Sequence, residues 1–155
     1  MSQTAPLAPL SPGLISVNSS GAGQGAILND KDANQGVQSL VAPAGSAPNA
    51  HPAAVGDVIE IYGTGLGLVT PPVPTGMRPP GLSLTSTPAV TIGGVPATVT
   101  FSGLASCCVG LNQVNVVVPA GTFAGNAVPV ALSIDGVKSN TVTIAVSASS
   151  GGGGG

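Results

Sequence analysis

Charge is almost missing from this chain. Of 155 residues only 5% are charged: Lys31, Arg78 and Lys138 against Asp30, Asp32, Asp57, Glu60 and Asp135. Three scattered cations cannot track a phosphate backbone, which excludes nucleic acid as a partner and makes an anionic membrane surface a poor one. No apolar run approaches the roughly 20 residues of a spanning helix, so membrane insertion is not expected either. Aromatic side chains are equally scarce, with one Tyr, two Phe and no Trp. Sugar-binding platforms stack on such rings, so the scarcity ranks a carbohydrate-binding module second among the expected functions. There is one histidine, His51, and no G-x-S-x-G around any serine, so nothing pairs a base with a nucleophile. Two cysteines cannot complete a structural zinc site, and no cofactor is expected.

What is present is small, branched and apolar. Hydrophobic residues make up 43% of the chain, drawn mainly from Val, Ala, Leu and Ile, with 24 Gly and 15 Pro as punctuation. Disorder normally combines low hydrophobicity with high charge, and both are reversed here, so the composition predicts many turns between buried strands. A net charge of only −2 on a surface of Ser, Thr, Asn and Gln leaves little electrostatic repulsion against self-association.

The strands read off the alternation. Residues 52 to 147 carry short period-2 segments separated by turn residues, the pattern of a sandwich or barrel rather than of βαβ units. "DVIEIYG" points Ile59 and Ile61 one way and Val58, Glu60 and Tyr62 the other. "PAVTIGGVPATVTFSG" places Val90 and Ile92 on one face, turns at Gly93-Gly94, and returns with Ala97, Val99 and Phe101 inward. "QVNVVVP" aligns Val114, Val116 and Val118. "AVPVALSIDGVKSNTVTIAVS" aligns Val128, Val130, Leu132 and Ile134, turns at Asp135-Gly136, and returns with Val142, Ile144 and Val146.

The first fifty residues differ in texture. Residues 1 to 12 read as an extended, proline-bearing arm without a secretion signal. Residues 13 to 50 offer short strands that either pack on their own sandwich or are exchanged with a neighbouring molecule. In the second case Leu14, Ile15 and Val17 would add a strand to a neighbour's open sheet edge. Residues 51 to 147 form the sandwich, and 148 to 155 are a flexible Gly tail or linker.

Several motifs together carry a resemblance. "PGLISVNSSGAGQGAILND", "GDVIEIYGTGLGLVTPPVPTG", "VTIGGVPATVTFSGLA", "VGLNQVNVVVPAG" and "AVPVALSIDGVKSNTVTIAV" resemble the C-terminal repeat domain of large secreted acidobacterial proteins of the Solibacter type. The later part is similar to immunoglobulin-like IPT/TIG modules, with their Gly-rich strand exit, "GG.PA" hairpin and final "G..S" hairpin. The resemblance spans most of residues 12 to 147 and brings no catalytic residues with it. It implies an all-β, immunoglobulin-like β-sandwich with an extended N-terminal arm, in an extracellular or cell-surface setting. The expected role is a structural or adhesive module that pairs with itself, as a homo-oligomer or polymer, or with neighbouring domains of a surface protein. Cys107 and Cys108 depart from the family pattern.

The individual candidates for chemistry are thin. Gly63-Thr64-Gly65-Leu66-Gly67 follows a strand, but Leu68 takes the third glycine's place in a dinucleotide fingerprint and Val69-Thr70-Pro71-Pro72 cannot open a helix. These glycines are expected to serve a bulge or corner where φ is positive or backbones approach closely. Asp30, Asp32 and Asn34 alternate as in a calcium loop, yet Gln35 stands at the turn glycine and Val41 at the bidentate Glu, so a solvated hairpin turn accounts for the same letters. His51 is expected to be a solvated loop residue and Asp57 to tie down a turn. Cys107 and Cys108 are adjacent, which strains an ordinary disulfide and leaves a vicinal ring, two thiols or bonds to another molecule. Lys31 and Lys138 would suit an isopeptide bond only if buried beside Asn or Asp, and Lys138 is expected to be exposed.

Overall fold

A computed structural model of the protein describes residues 11–33, 35–67, 69, 85–105 and 111–148. Among them lie nine strands and one helical turn: β1 Gly13–Leu14, β2 Ile27–Asn29, α1 Asp30–Ala33, β3 Val58–Thr64, β4 Ala89–Ile92, β5 Val95–Leu104, β6 Asn112–Val117, β7 Gly125–Ile134, β8 Val137–Lys138 and β9 Val142–Val146. No helix among the described residues is long and apolar enough to cross a membrane.

The architecture is almost all β, as the alternation predicts. The strands form one curled antiparallel sheet, a half-barrel, in the order β1-β3-β6-β5-β4-β7-β8, with β2 also on β3 and β9 also on β7. The long strand β5 carries the curl, because its first half pairs with β4 and its second half with β6. Both predicted two-residue turns are made: Gly93 and Gly94 have φ of 61° and 80°, and Asp135 and Gly136 have 48° and 87°. Positive φ at both central residues is the turn whose twist matches the flanking strands.

Inside the curl lies one apolar core; most of its members are residues that the period of two marks, joined by Leu14, Ile27, Val41, Ala53 and Leu66 from outside the alternating segments. Ile59 and Ile61 of β3, Val114 and Val116 of β6, Val90 and Ile92 of β4, and alternate residues Val128 to Ile134 of β7 and Val142 to Val146 of β9 are all buried there. Burying each such side chain contributes about 1.5–3 kcal/mol, so with no aromatic in the cluster the stability comes from many small branched groups.

Phe101 departs from the expected alternation. The β5–β6 register shifts between Val99 and Phe101, so Val99 opposes buried Val116, while Phe101 opposes Asn115 and Ser102 opposes Val114. Thr100 is the extra residue, its hydroxyl donating to the Asn115 carbonyl at 3.2 Å. One inserted residue exchanges the two faces of everything beyond it. Phe101 therefore leaves the core face and shares the outer face with Glu60, Asn115, Tyr62 and Gln113, which the cross-strand register aligns.

The N-terminal segment folds back on its own chain. β1 pairs with the end of β3, and Leu14 is buried in the core. Residues 23–25 run parallel to β9, with Gly25 N–H donating to Thr143 O and Thr143 N–H to Gly23 O, both at 2.8 Å. Two residues later β2 pairs with β3. One short stretch thus joins the two ends of the curled sheet. Asn140, just before β9, holds it there: its Oδ1 accepts from Leu14 N–H at 2.7 Å, and its Nδ2 donates to Leu14 O at 2.9 Å and to Gly21 O at 2.7 Å.

That fold answers what the glycines after β3 do. A Cβ on Gly63 would lie 2.6 Å from the Gly13 carbonyl oxygen, and one on Gly65, whose φ is +76°, would lie 2.0 Å from that of Ser11. Their lack of a side chain is what lets the incoming segment lie against the strand exit.

Candidate functional site

Most of the chain's few titratable side chains meet around α1. The chain turns out of β2 at Asn29, whose Oδ1 accepts the backbone N–H groups of Lys31 and Asp32 at 3.1 and 3.3 Å, capping the helical turn. The Asn29 amide reaches the other way and donates to Asp57 Oδ2 at 3.3 Å, an oxygen that also accepts the Ala54 N–H at 2.9 Å. Asp57 ties down the turn ahead of β3, as expected for a carboxylate in that position. Asp30–Ala33, the described part of the calcium-like stretch, is thus a helical turn rather than a hairpin loop.

Asp32 and His51 form the first of two close contacts. The imidazole Nε2 lies 2.6 Å from Asp32 Oδ2, and Nδ1 donates to the Pro52 carbonyl at 2.9 Å. With an acceptor on each ring nitrogen, the doubly protonated imidazolium is the species that satisfies both. The Asp32 hydrogen bond first, and the Pro52 carbonyl second, hold the His51 pKa above its ordinary value. Asp32 is held below the usual carboxylate range by His51 and then by the Ser39 side chain. His51 is consequently not the freely solvated loop residue expected from sequence: its side chain is 43% exposed but anchored at both nitrogens. The anchor follows from residues 40–42 running alongside 51, with His51 N–H donating to Leu40 O at 3.1 Å.

Asp30 and Glu60 form the second. Glu60 projects from the outer face of β3, yet it is 7% exposed because α1 packs beside it. Its carboxyl is hydrogen-bonded to that of Asp30 and accepts the Tyr62 hydroxyl at Oε1, 2.7 Å away. Burial first, and Asp30 second, push the Glu60 pKa up to about 7. A Glu60 carboxyl that keeps its proton can donate across this contact, which a carboxylate cannot. Tyr62 is pushed up by burial and then by Glu60.

This arrangement has a limited chemical repertoire. A doubly protonated His51 has no lone pair with which to deprotonate a nucleophile, and the Ser39 hydroxyl is engaged with Asp32 instead of the imidazole. Asp30 and Asp32 turn to different partners, and among the described residues no three His, Cys, Asp or Glu side chains converge as metal ligands would. Asn34, Cys107 and Cys108 lie outside the described residues. Of the proposed exchange arm, Leu14 is in the core, the Ile15 N–H donates to Tyr62 O at 3.1 Å, and Val17 is exposed. Lys31 and Lys138 are both exposed. A groove by β1, lined by Ser11, Ser16, Ser20, Thr64 and Asn140, offers hydroxyls and one amide but no titratable group.

Sequence reasoning found each of these acids and missed their meeting. The only local signal was Asn29 before the Asp30–Asp32 pair, which reads as a helix cap; the rest depends on β2 lying against β3 and residue 41 beside residue 51. No family model, curated protein or solved structure matches the chain.

Proposed function

We propose that the chain is a non-enzymatic, extracellular structural module, immunoglobulin-like in plan, whose N-terminal segment covers sheet edges and links copies by covering a neighbour's instead. The observation that carries this reading is the double role of residues 11–29, which pair with β3 at one end of the sheet and run beside β9 at the other. An exposed edge is a template for another chain, and a detachable segment that fits its own edge fits the same edge of a second copy. The low charge of the surface favours such contacts, and the engagement of both His51 nitrogens speaks against catalysis at the α1 cluster.

Light scattering over a range of concentrations tests it, on the full chain and on one lacking residues 1–20. The reading requires species of higher mass that grow with concentration and vanish on deletion. Equal masses for the two chains at every concentration would remove it.

A second reading, carbohydrate binding, gains one observation. The bulge at Thr100 brings Phe101 to the face that carries Tyr62, with the Gln113 and Asn115 amides between them, Gln113 Nε2 donating to Asn115 Oδ1 at 2.9 Å. Aromatic rings flanking neutral hydrogen-bonding groups suit a sugar chain. A glycan array with the full chain and Tyr62→Ala decides: binding lost in the variant supports this reading, and no binding by the parent chain removes it.

A further inference from the structure

The two close contacts of α1 have a property in common: each is made by a group, Glu60 in one and His51 in the other, whose surroundings hold its proton to a higher pH than it would ordinarily keep it. Asp30 and Asp32 project from the same helical turn, one to Glu60 on β3 and the other to His51 in the loop ahead of it. The turn is therefore bracketed. Neither bracket survives deprotonation intact, because the first loses the proton that Glu60 can donate across the contact and the second keeps only one ring N–H for two acceptors.

We propose that α1 and residues 35–40 form a proton-dependent clasp that lies closed on β3 under mildly acidic conditions and loosens above neutrality. This clasp is independent of whether the module polymerises or binds sugar. Its surroundings are few. Glu60 faces Asp30 and the Tyr62 hydroxyl; His51 faces Asp32, the Pro52 carbonyl and, at longer range, Asp57; Asp32 also takes the Ser39 hydroxyl, and Lys31 stands exposed beside it. The other described titratable groups, Asp135 and Lys138, belong to the β7–β8 turn.

The two sites act with the same sign. A folded-state pKa raised above its ordinary value means that the folded form binds the proton more tightly. The Glu60 contribution is thus complete below 4.5 and lost as pH rises through about 7. The His51 contribution is complete below 6.5 and lost as pH rises beyond that. Asp32, held low, sets the acid limit: its share is present above 3.8 and lost as pH falls through its depressed value. The clasp is closed between these limits. Loosening it uncovers Glu60 and Tyr62 on the outer face of the sheet and leaves the core strands β4, β6 and β7 paired.

Amide hydrogen exchange on the full chain between pH 5 and 8.5, corrected for the intrinsic rate, tests the clasp. Residues 29–41 are expected to exchange faster at the upper pH by a factor on the order of tenfold, while β6 and β7 keep their protection. E60Q, whose amide can donate to Asp30 and accept from Tyr62, retains only the His51 part of the step, and E60Q with H51Q retains none. Equal protection of residues 29–41 at both pH values, or an undiminished step in the double variant, overturns the proposal. Carbon-13 NMR of the unmodified protein supplies a reading that needs no variant: a Glu60 carboxyl titrating near 4.5 overturns it, and one titrating near 7 supports it.

Discussion

Asn140 is the residue whose replacement most directly tests how the N-terminal segment is held. Its side chain makes three hydrogen bonds to backbone groups more than a hundred positions away, two of them to the N–H and C=O of Leu14. In Asn140→Ala those groups lose their partner at a part-buried site. At about 1 kcal/mol net for each bond the loss is about 3 kcal/mol, reduced to about 2 where water reaches the freed groups. For a folded unit of this size that lowers the melting temperature by roughly 6–10 °C. Asn140→Asp keeps the shape and the acceptor but sets a carboxylate oxygen against the carbonyls of Leu14 and Gly21, so it is expected to destabilise at least as much as alanine. Circular dichroism melts give the stability, and amide exchange at Leu14 and Ile15 shows whether the loss is local. An Asn140→Ala protein within 0.5 kcal/mol of the parent, with Leu14 still protected, would refute the idea that this amide fastens the segment (roughly the scatter of neutral surface changes).

Further outcomes follow from the same structure. Ile59→Ala, at a fully buried site on β3, is expected to cost about 3 kcal/mol in denaturant unfolding, with a cavity that its branched neighbours cannot fill. Gly65→Ala sets a Cβ against the Ser11 carbonyl in a left-handed backbone conformation, so residues 11–14 should lift from β3 and become open to proteolysis while the β4–β5 hairpin stays protected. On the acid side, melts below pH 3.8 should show His51→Gln losing less stability than the parent, because the Asp32 carboxylate of the parent gives up its charged partner as it protonates.

How far the fold can be read from sequence is clearest at its valines. Val114, Val116, Val128, Val130, Val142 and Ile144 stand at the core positions their alternation assigns, because a strand with one buried face has a fixed phase. The Gly93-Gly94 and Asp135-Gly136 turns are equally legible, since few other residue pairs tolerate two successive positive φ values. Phe101 was not legible. "TVTFSG" continues a clean alternation, and the extra residue that breaks it shows only in the register against β6. The meeting of Asp30 with Glu60 and Asp32 with His51 was hidden for a related reason: a hairpin writes its pairing in its turn, whereas the segments around α1 are brought together by bridges between distant stretches. The curl of the sheet through β5 was not legible either, because a ten-residue strand with a bulge can pair with different neighbours along its two halves, and the alternation says nothing of which.

The way residues 23–29 tie β9 to β3 has a consequence for synthesis. They leave the ribosome well before one of their two docking strands, residues 142–146. Until β9 has been made, this stretch must wait beside a growing and incomplete sheet. Contacts so distant along the chain close slowly. On a polysome, where nascent copies crowd together, that delay is the interval in which a strand belonging to one polypeptide can settle into the vacancy of the next.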